Sequence, residues 1–324
     1  MRITVFGAGA VGGMIAARLA AAGQTVSLIA RGQTLGAIKA DGLRLRDGDE
    51  TYASPLTATD DPASLPAPDV LILTLKAHQI EGALPQIRPL VGADTLVVPA
   101  INGLPFWYFD GLAGDFPVTH LTSLDPTGTL SKALPAAQLA GCVVYVAAAV
   151  EGPGEVLSTG SRRLILGPVD APHPTLQPLS ETLIEAGFDA PISDDIRRDL
   201  WVKLWGNLWA NPLSVLGNAT VGDLVGEPLV CDIARRMMGE ARTIAGAVGV
   251  TLDGDIEARI NQSARGLPNF RTSMLQDFDR GRPIELEAIL GSVRELAQKL
   301  DIPAPTIDAI YGLTRLRAKT AGLG

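Results

Sequence analysis

"RITVFGAGAVGGMIAARLAAAGQTVSLIARG", Arg2 to Gly32, reads as a strand, a glycine turn, an amphipathic helix and a second strand. Ile3 to Phe6 is short, apolar and β-prone, and Gly7, Gly9 and Gly12 follow as an unbroken G-x-G-x-x-G. In such a turn the first glycine bends the chain tightly. The second lets backbone approach a pyrophosphate, and the third lets the helix press on the strand. The helix N-terminus adds N–H donors and the positive end of its dipole. A glycine triplet alone arises by chance in alanine-rich sequence. This one follows a strand, opens a helix and is closed by Gly23 before another strand, which is the context that gives it meaning. Gly7, Ala8, Gly9, Ala10, Val11 and Gly12 therefore form the candidate cradle of a dinucleotide.

The second strand, "TVSLIA", ends in Arg31-Gly32-Gln33. An NAD site of this kind carries Asp or Glu there, to hold the ribose 2′-OH. An acid would repel a 2′-phosphate, whereas an arginine binds it through charge-assisted hydrogen bonds. Arg31 points to NADP. Further on, Val70 to Leu75 is a buried-type strand with Lys76-Ala77-His78-Gln79 at its carboxyl end. "LVVPAINGLP" repeats the arrangement, a strand running into Asn102-Gly103. Open α/β sheets bind ligands outside the carboxyl ends of their strands, so Lys76 and Asn102 are expected at the rim of a site.

At 324 residues the chain has room for two domains, each with a proper core. A formal charge of −8 argues against nucleic acid and against an anionic membrane as partner. An anionic substrate must then be caught by local cations. The two cysteines, Cys142 and Cys231, show neither ligand spacing nor a disulfide framework, which suggests a reducing compartment. Three histidines, none near another, make a histidine metal site improbable, and no metal is expected. The apolar N-terminus resembles a secretory signal, but Arg18 interrupts it, and no stretch approaches the ~20 apolar residues of a membrane span. The expected location is cytoplasmic.

"GCVVYVAAAV" looks like a buried strand, and "EGPGEVLSTGSRRLILGPVD" like a hairpin with turns at Gly154 and Gly160. These are expected to continue the first sheet with antiparallel strands. A helix, "LQPLSETLIEAG", leads to a last short strand, "FDAPIS", after which Ser193 reads as a helix cap. From there apolar residues recur near every 3.6 positions. The expected fold is an α/β Rossmann-type dinucleotide-binding domain over residues 1–192, followed by an all-α domain over residues 193–324, with the active cleft between them.

"LWVKLWGNLWANPLS", Leu200 to Ser214, carries Trp201, Trp205 and Trp209 on one helix face and Lys203, Asn207 and Asn211 on the other. The bulky face anchors the helix. Asparagine is a poor helix former, yet it occurs twice in register with the lysine, and Pro212 should kink the helix beside Asn211. The polar stripe therefore reads as side-chain chemistry rather than solvent-facing filler. Ser273 and Glu285 look bland by themselves, a cap and a first-turn acid.

Taken in order, GAGAVG, "TLKAHQ" (Thr74 to Gln79), "NG" at Asn102, "DIRRDLWVKLWGNLWANPLS", and "TSMLQD" followed by "IE" at Glu285 resemble the ketopantoate reductases (2-dehydropantoate 2-reductases) through most of the chain. The resemblance implies reduction of 2-dehydropantoate to pantoate by NADPH, in pantothenate biosynthesis. It makes Lys203 the catalytic proton donor, with Glu285 holding it and touching the cofactor ribose. Asn207, Asn211 and Ser273 become substrate-binding residues. Asn102 is placed beside nicotinamide and substrate, and Lys76 near the cofactor. Two further asparagines of the pantoate-forming enzymes fall at Val221 and Phe270, and Phe106 to Phe109 lie in a longer segment after Asn102. These departures favour, as the alternative, a paralogue that reduces a bulkier or less hydroxylated 2-keto acid. A nucleotide-binding sensor without turnover would have lost Lys203 or Glu285, and neither is replaced. The helical domain allows a homodimer, though no interface stripe marks one.

Overall fold

The computed structural model describes residues 1–54, 56–112, 118–266 and 268–323. Packing divides the chain into two compact units. One comprises Met1–Ile101, Asp110–Leu112 and Gly128–Ile196, the other Asn102–Phe109, Ala113–Thr127 and Arg197–Gly324.

The first unit opens with β1 (Arg2–Phe6), α1 (Ala10–Ala21), β2 (Thr25–Ile29), α2 (Gly32–Asp41), β3 (Leu43–Asp47), β4 (Glu50–Ser54) and β5 (Thr57–Thr59). It continues through β6 (Val70–Leu73), α3 (Ala77–Ile87), β7 (Leu96–Pro99), α4 (Thr129–Ala133), β8 (Ala140–Gly152), β9 (Glu155–Pro168) and α5 (Leu176–Glu185). Strands β5-β2-β1-β6-β7, in that order, form a parallel sheet. Every residue of β6 and β7 is buried, as a strand covered on both faces requires. Phe6 is in register with Ile29 on one side and Leu73 on the other. The carboxyl ends of the three central strands therefore finish level, at the glycine loop. This is the strand order and switch point of a dinucleotide-binding α/β sheet.

The expected continuation of this sheet by antiparallel strands does not occur. β8 and β9 pair with each other and with β3 and β4 in a second sheet, order β4-β3-β9-β8. The cause lies in α1. Its buried residues run from Gly12 to Leu19 without a break, so a single sheet leaves part of its apolar surface bare. The second sheet covers it, and β9 comes so close that a Cβ on Gly13 would meet Val156 Cγ2 at 2.6 Å. Arg18 is buried in this sandwich. It is ion-paired with Asp47, donates to the Ala186 carbonyl at 3.3 Å and lies over the Tyr52 ring. The hairpin turns at Gly154, as expected, but Gly160 lies inside β9, where the register against β8 shifts between Val146 and Ala148. "FDAPIS" makes two parallel bridges, Arg163–Asp189 and Leu166–Ile192, rather than a strand, since Pro191 has no N–H for a ladder.

The second unit contains α6 (Ile196–Gly217), α7 (Val221–Gly226), α8 (Pro228–Ala247), α9 (Ile256–Gly266), α10 (Ser273–Asp279), a single π-turn (Glu287–Gly291), α11 (Ser292–Lys299) and α12 (Pro305–Thr320). Ser193 does not cap α6. Its hydroxyl accepts the Asp195 N–H in a local turn, and the helix begins later, at Ile196. Pro212 lies inside this helix, which runs on to Gly217. Trp201, Trp205 and Trp209 are all buried in a core shared with Met237 and Met238 of α8 and Leu290 of the π-turn. Trp205 Nε1 donates to the Met238 carbonyl at 2.8 Å, with the Arg242 and Arg259 guanidiniums over its ring. Residues 102–109 lie in the span that the sequence assigns to the first domain, yet they pack with this unit. Leu104 and Tyr108 enter the tryptophan core, and Trp201 Nε1 donates to the Tyr108 hydroxyl at 2.7 Å. A buried indole N–H needs an acceptor, and a loop from the first half of the chain supplies it.

Candidate active site

Each unit carries one constellation. In the first, α1 starts at Ala10 with Gly9 as its N-cap, no side-chain cap, and no acid in its first turn. Gly7 has φ +117°, a conformation that favours glycine. Thr74, just past β6, donates from Oγ1 to the Gly7 carbonyl at 2.8 Å and so pins the loop to the neighbouring strand. A Cβ on Gly12 would overlap the Gly7 carbonyl oxygen and Thr74 Oγ1, so the helix can start this close to the strand only with glycine there. A Cβ on Gly9 would meet nothing within 4 Å. The helix end thus faces open space at the residue where a pyrophosphate must approach backbone. Ala8, Ala10 and Val11 complete the loop. These features fit a dinucleotide. Arg31 is exposed at the end of β2, as the N-cap of α2. Lys76 is the N-cap of α3 at the end of β6, where its N–H donates to Gln79 Oε1 at 3.1 Å.

In the second unit, Lys203 Nζ donates to Asn102 Oδ1. The two residues lie about half a domain apart in sequence, and glycine chemistry joins them. Gly103 has φ +83°, and a Cβ there would overlap the Ala288 carbonyl. Leu104 N–H donates to that same carbonyl at 2.9 Å. Asn102 is therefore held by a turn seated against the backbone of the π-turn. Such turns are frequent at functional sites. Glu285 is buried two residues before the π-turn, so one short segment carries both the carboxylate and the seat of the Asn102 loop.

Asn207 is half-buried on the Lys203 face of α6, and Asn211, one turn on, is buried at 3% exposure. Asn211 Nδ2 has no hydrogen-bond partner. A buried amide donor without an acceptor costs about 1–3 kcal/mol. Ser273 is the exposed first residue of α10, and Thr272, not Ser273, is the cap, accepting the Leu275 N–H at 3.3 Å. Among the aromatic residues after Asn102, Tyr108 is core packing, and Phe109 meets it edge-on at 4.9 Å. Val221 is also core, whereas Phe270 is 39% exposed. Sequence reasoning assigned no role to Thr74, Gly13 or Gly103. Only the dipeptides "GG" and "NG" hinted at the last two. Among the described residues, no group of three or more His, Cys, Asp or Glu gathers as metal ligands, and no helix is long and apolar enough to cross a membrane.

Comparison with known proteins agrees with this geometry. The family "Ketopantoate reductase PanE/ApbA" matches residues 3–171, and "Ketopantoate reductase PanE/ApbA C terminal" matches residues 195–318. The 2-dehydropantoate 2-reductase of Mesorhizobium japonicum is 43% identical over 325 residues, covering 99% of each chain. A solved candidate ketopantoate reductase from Ralstonia solanacearum MolK2 is 40% identical, with a TM-score of 0.95 over 100% of this chain and 99% of that one. D-mandelate dehydrogenase, solved with NADH and anilino(oxo)acetate, shares the fold at a TM-score of 0.84 and 23% identity over 100% of both chains.

Proposed function

Because the chain belongs to the ketopantoate reductase family, we propose that it reduces 2-dehydropantoate to pantoate with NADPH, in pantothenate biosynthesis. The observation that carries this reading is the Lys203–Asn102 pair, pinned by Gly103 on the same helical unit as the unsatisfied Asn211 amide. NADPH, when bound, supplies the hydride. Gly7 to Gly12 hold its pyrophosphate, Arg31 its 2′-phosphate, and Lys76 lies at the rim of the same cradle. The Lys203 ammonium polarises the keto carbonyl and gives a proton to its oxygen as negative charge develops there. Asn102 Oδ1 takes one N–H of that ammonium, which helps fix its direction. Glu285 holds the lysine and the cofactor ribose. Asn207, Asn211 and Ser273 bind the remainder of the substrate, with the Asn211 Nδ2 donor matched to an acceptor-only carboxylate. The neutral lysine then regains its proton from solvent. The same reading takes the protein as cytoplasmic, consistent with two buried free cysteines, and allows a homodimer.

The test is steady-state NADPH oxidation with ketopantoate, wild type beside Lys203→Ala, with NADH as control. Turnover with preference for NADPH is expected, and the variant should lose about 10²–10⁴-fold in kcat. NADPH binding without ketopantoate reduction would sink the substrate assignment, and an undiminished Lys203→Ala would sink the role of the lysine. A second reading is favoured by Val221 and Phe270, which offer apolar side chains where pantoate-forming enzymes have amides. It assigns a bulkier or less hydroxylated 2-keto acid to the same machinery. A site that hydrogen-bonds a substrate hydroxyl loses discrimination when its partner turns apolar, so a panel of 2-keto acids in the same assay separates the two.

A further inference from the structure

Asn211 and Ser273 belong to different helices, and what ties them together is a buried hydroxyl pair that no catalytic reading uses. Ser214 is fully buried and Thr272 is 2% exposed. Their hydroxyl oxygens are 2.6 Å apart. Ser214 Oγ also lies 2.8 Å from the Asn211 carbonyl, which can only accept. The single Ser214 proton is therefore committed to Asn211, and the proton between the two hydroxyls must come from Thr272. Thr272 Oγ1 in turn accepts from the Leu275 N–H at 3.3 Å. Three bonds run in one direction: Leu275 N–H to Thr272, Thr272 O–H to Ser214, Ser214 O–H to the Asn211 carbonyl. The chain starts in the first turn of α10, which Ser273 opens, and ends on the residue whose side-chain amide is unsatisfied.

Its position answers a weakness in α6. Pro212 has no N–H, so the helix lacks the bond that residue 212 would return to Leu208. Asn211 is the residue just before this missing donor. The surrounding backbone supports the same join. Val221 N–H donates to the Phe270 carbonyl at 3.0 Å and Gly222 N–H to the Pro268 carbonyl at 2.9 Å. Gly222 has no room for a side chain, since a Cβ would lie 2.5 Å from the Pro268 oxygen. Arg271 donates to Asn218 Oδ1 at 3.0 Å. These bonds dock the strap before α10 on the elbow between α6 and α7. The hydroxyl pair is the one link in this set that reaches Asn211 itself.

We infer that Ser214 and Thr272 are positioning residues that lock the Asn211 amide in register with Ser273 and so set the affinity of the second unit for the carboxylate of a 2-keto acid. The inference rests on the function proposed above. Neither residue touches the substrate in this scheme, and each acts through Asn211 or through the first turn of α10.

The experiment is the kinetic comparison of wild type with Ser214→Ala, Thr272→Val and the double variant, and with the hydroxyl-retaining Ser214→Thr and Thr272→Ser. Ketopantoate is the varied substrate, and NADPH affinity is measured separately by fluorescence titration. Alanine removes one oxygen at 214 and valine keeps the shape at 272, so the fold survives, which a melting curve checks. The KM for ketopantoate should rise about tenfold in either single variant, the scale of one lost hydrogen bond in a buried relay. The Kd for NADPH should stay unchanged, the double variant should be no worse than the singles, and Thr272→Ser should restore the wild-type KM. An unchanged KM in both single variants, or a KM rise matched by loss of NADPH affinity, overturns the positioning role while leaving the proposed function intact. A wild-type protein that reduces no 2-keto acid overturns the proposed function and this inference with it.

Discussion

Replacing Gly103 by alanine isolates the device that joins Asn102 to Lys203. The residue has φ +83°, where an L side chain costs about 1–2 kcal/mol. The new Cβ would overlap the Ala288 carbonyl and lie 2.9 Å from the Ile289 nitrogen. Both obstacles are backbone of the π-turn, so no side-chain rotation relieves the clash, and the loop must lift. Lifting it breaks the hydrogen bond from Leu104 N–H to the Ala288 carbonyl, which contributes about 0.5–1.5 kcal/mol. The expected cost is about 2–3 kcal/mol, a fall in Tm of roughly 5–10 °C for a unit of this size. The functional loss should be larger than the stability loss suggests. A shift of about 1 Å carries Asn102 Oδ1 off the lysine, and misplacement on that scale reduces kcat about 10²-fold. NADPH affinity should fall far less than kcat, because the proposed pyrophosphate loop belongs to the other unit. Differential scanning fluorimetry, kcat with ketopantoate and an NADPH titration read the three effects separately. A variant with wild-type Tm and kcat refutes the reasoning, and so does one whose loss lies in NADPH binding alone.

Arg31→Ala should weaken NADPH binding about 10–100-fold, the range of one charge-assisted hydrogen bond, and leave NADH binding as it was. Equal loss for both dinucleotides in a fluorescence titration would remove the 2′-phosphate role. Gly239 lies within α8 and a Cβ there meets nothing within 4 Å, so Gly239→Ala should stabilise the protein by about 1 kcal/mol with unchanged activity. A lowered urea midpoint counts against that packing. Glu295 gives an acid limb. Burial pushes its carboxyl up, but hydrogen bonds from Ser123 and Thr122 outweigh burial and hold it below the ordinary value of 4.5. Because the folded-state pKa is depressed, its contribution is fully present above pH 4.5 and is lost as pH falls through the folded value. Urea midpoints measured from pH 7 downward should therefore show a steeper acid loss in wild type than in Glu295→Gln, and parallel curves would contradict this.

The glycine loop and the tryptophan stripe were legible because each is a local pattern with one physical reading. G-x-G-x-x-G names a tight turn pressed against a helix start, and the structure finds a Cβ obstructed at Gly12 by the Gly7 carbonyl and Thr74. The every-fourth spacing of the tryptophans names a helix face, and all three are buried. The fate of β8 and β9 was not legible. β8 read correctly as a strand and β9 as a hairpin wrongly broken at Gly160, but whether a strand joins one sheet or another depends on which face of α1 remains uncovered, a property of residues far away in sequence. Residues 102–109 failed for the same reason. They have no period, so nothing in them says which unit they serve, and it is the buried indole of Trp201 that claims Tyr108. The lysine and its amide partner were each visible, yet their pairing depends on Gly103 meeting a carbonyl nearly two hundred residues downstream.

Val221 and Phe270 show why the substrate was harder to read than the reaction. The two residues meet through the Val221 N–H and the Phe270 carbonyl, a bond that any non-proline residue at 221 could make. Their side chains diverge, Val221 into the helical core and Phe270 towards solvent. The backbone bond in the elbow that seats α10 is therefore independent of the two side chains, although Val221 also packs in the core. Lys203 has no such freedom, because its Nζ must reach Asn102, and neither has Gly222, because the Pro268 oxygen occupies the place of a Cβ. Under the proposed function, the reaction is carried by a residue held through its side chain, as Lys203 is by Asn102, and substrate choice by residues joined here through backbone, as Val221 and Phe270 are. The first kind of residue announces itself in a single sequence; the second changes without a structural trace, and only a measured substrate panel reads it.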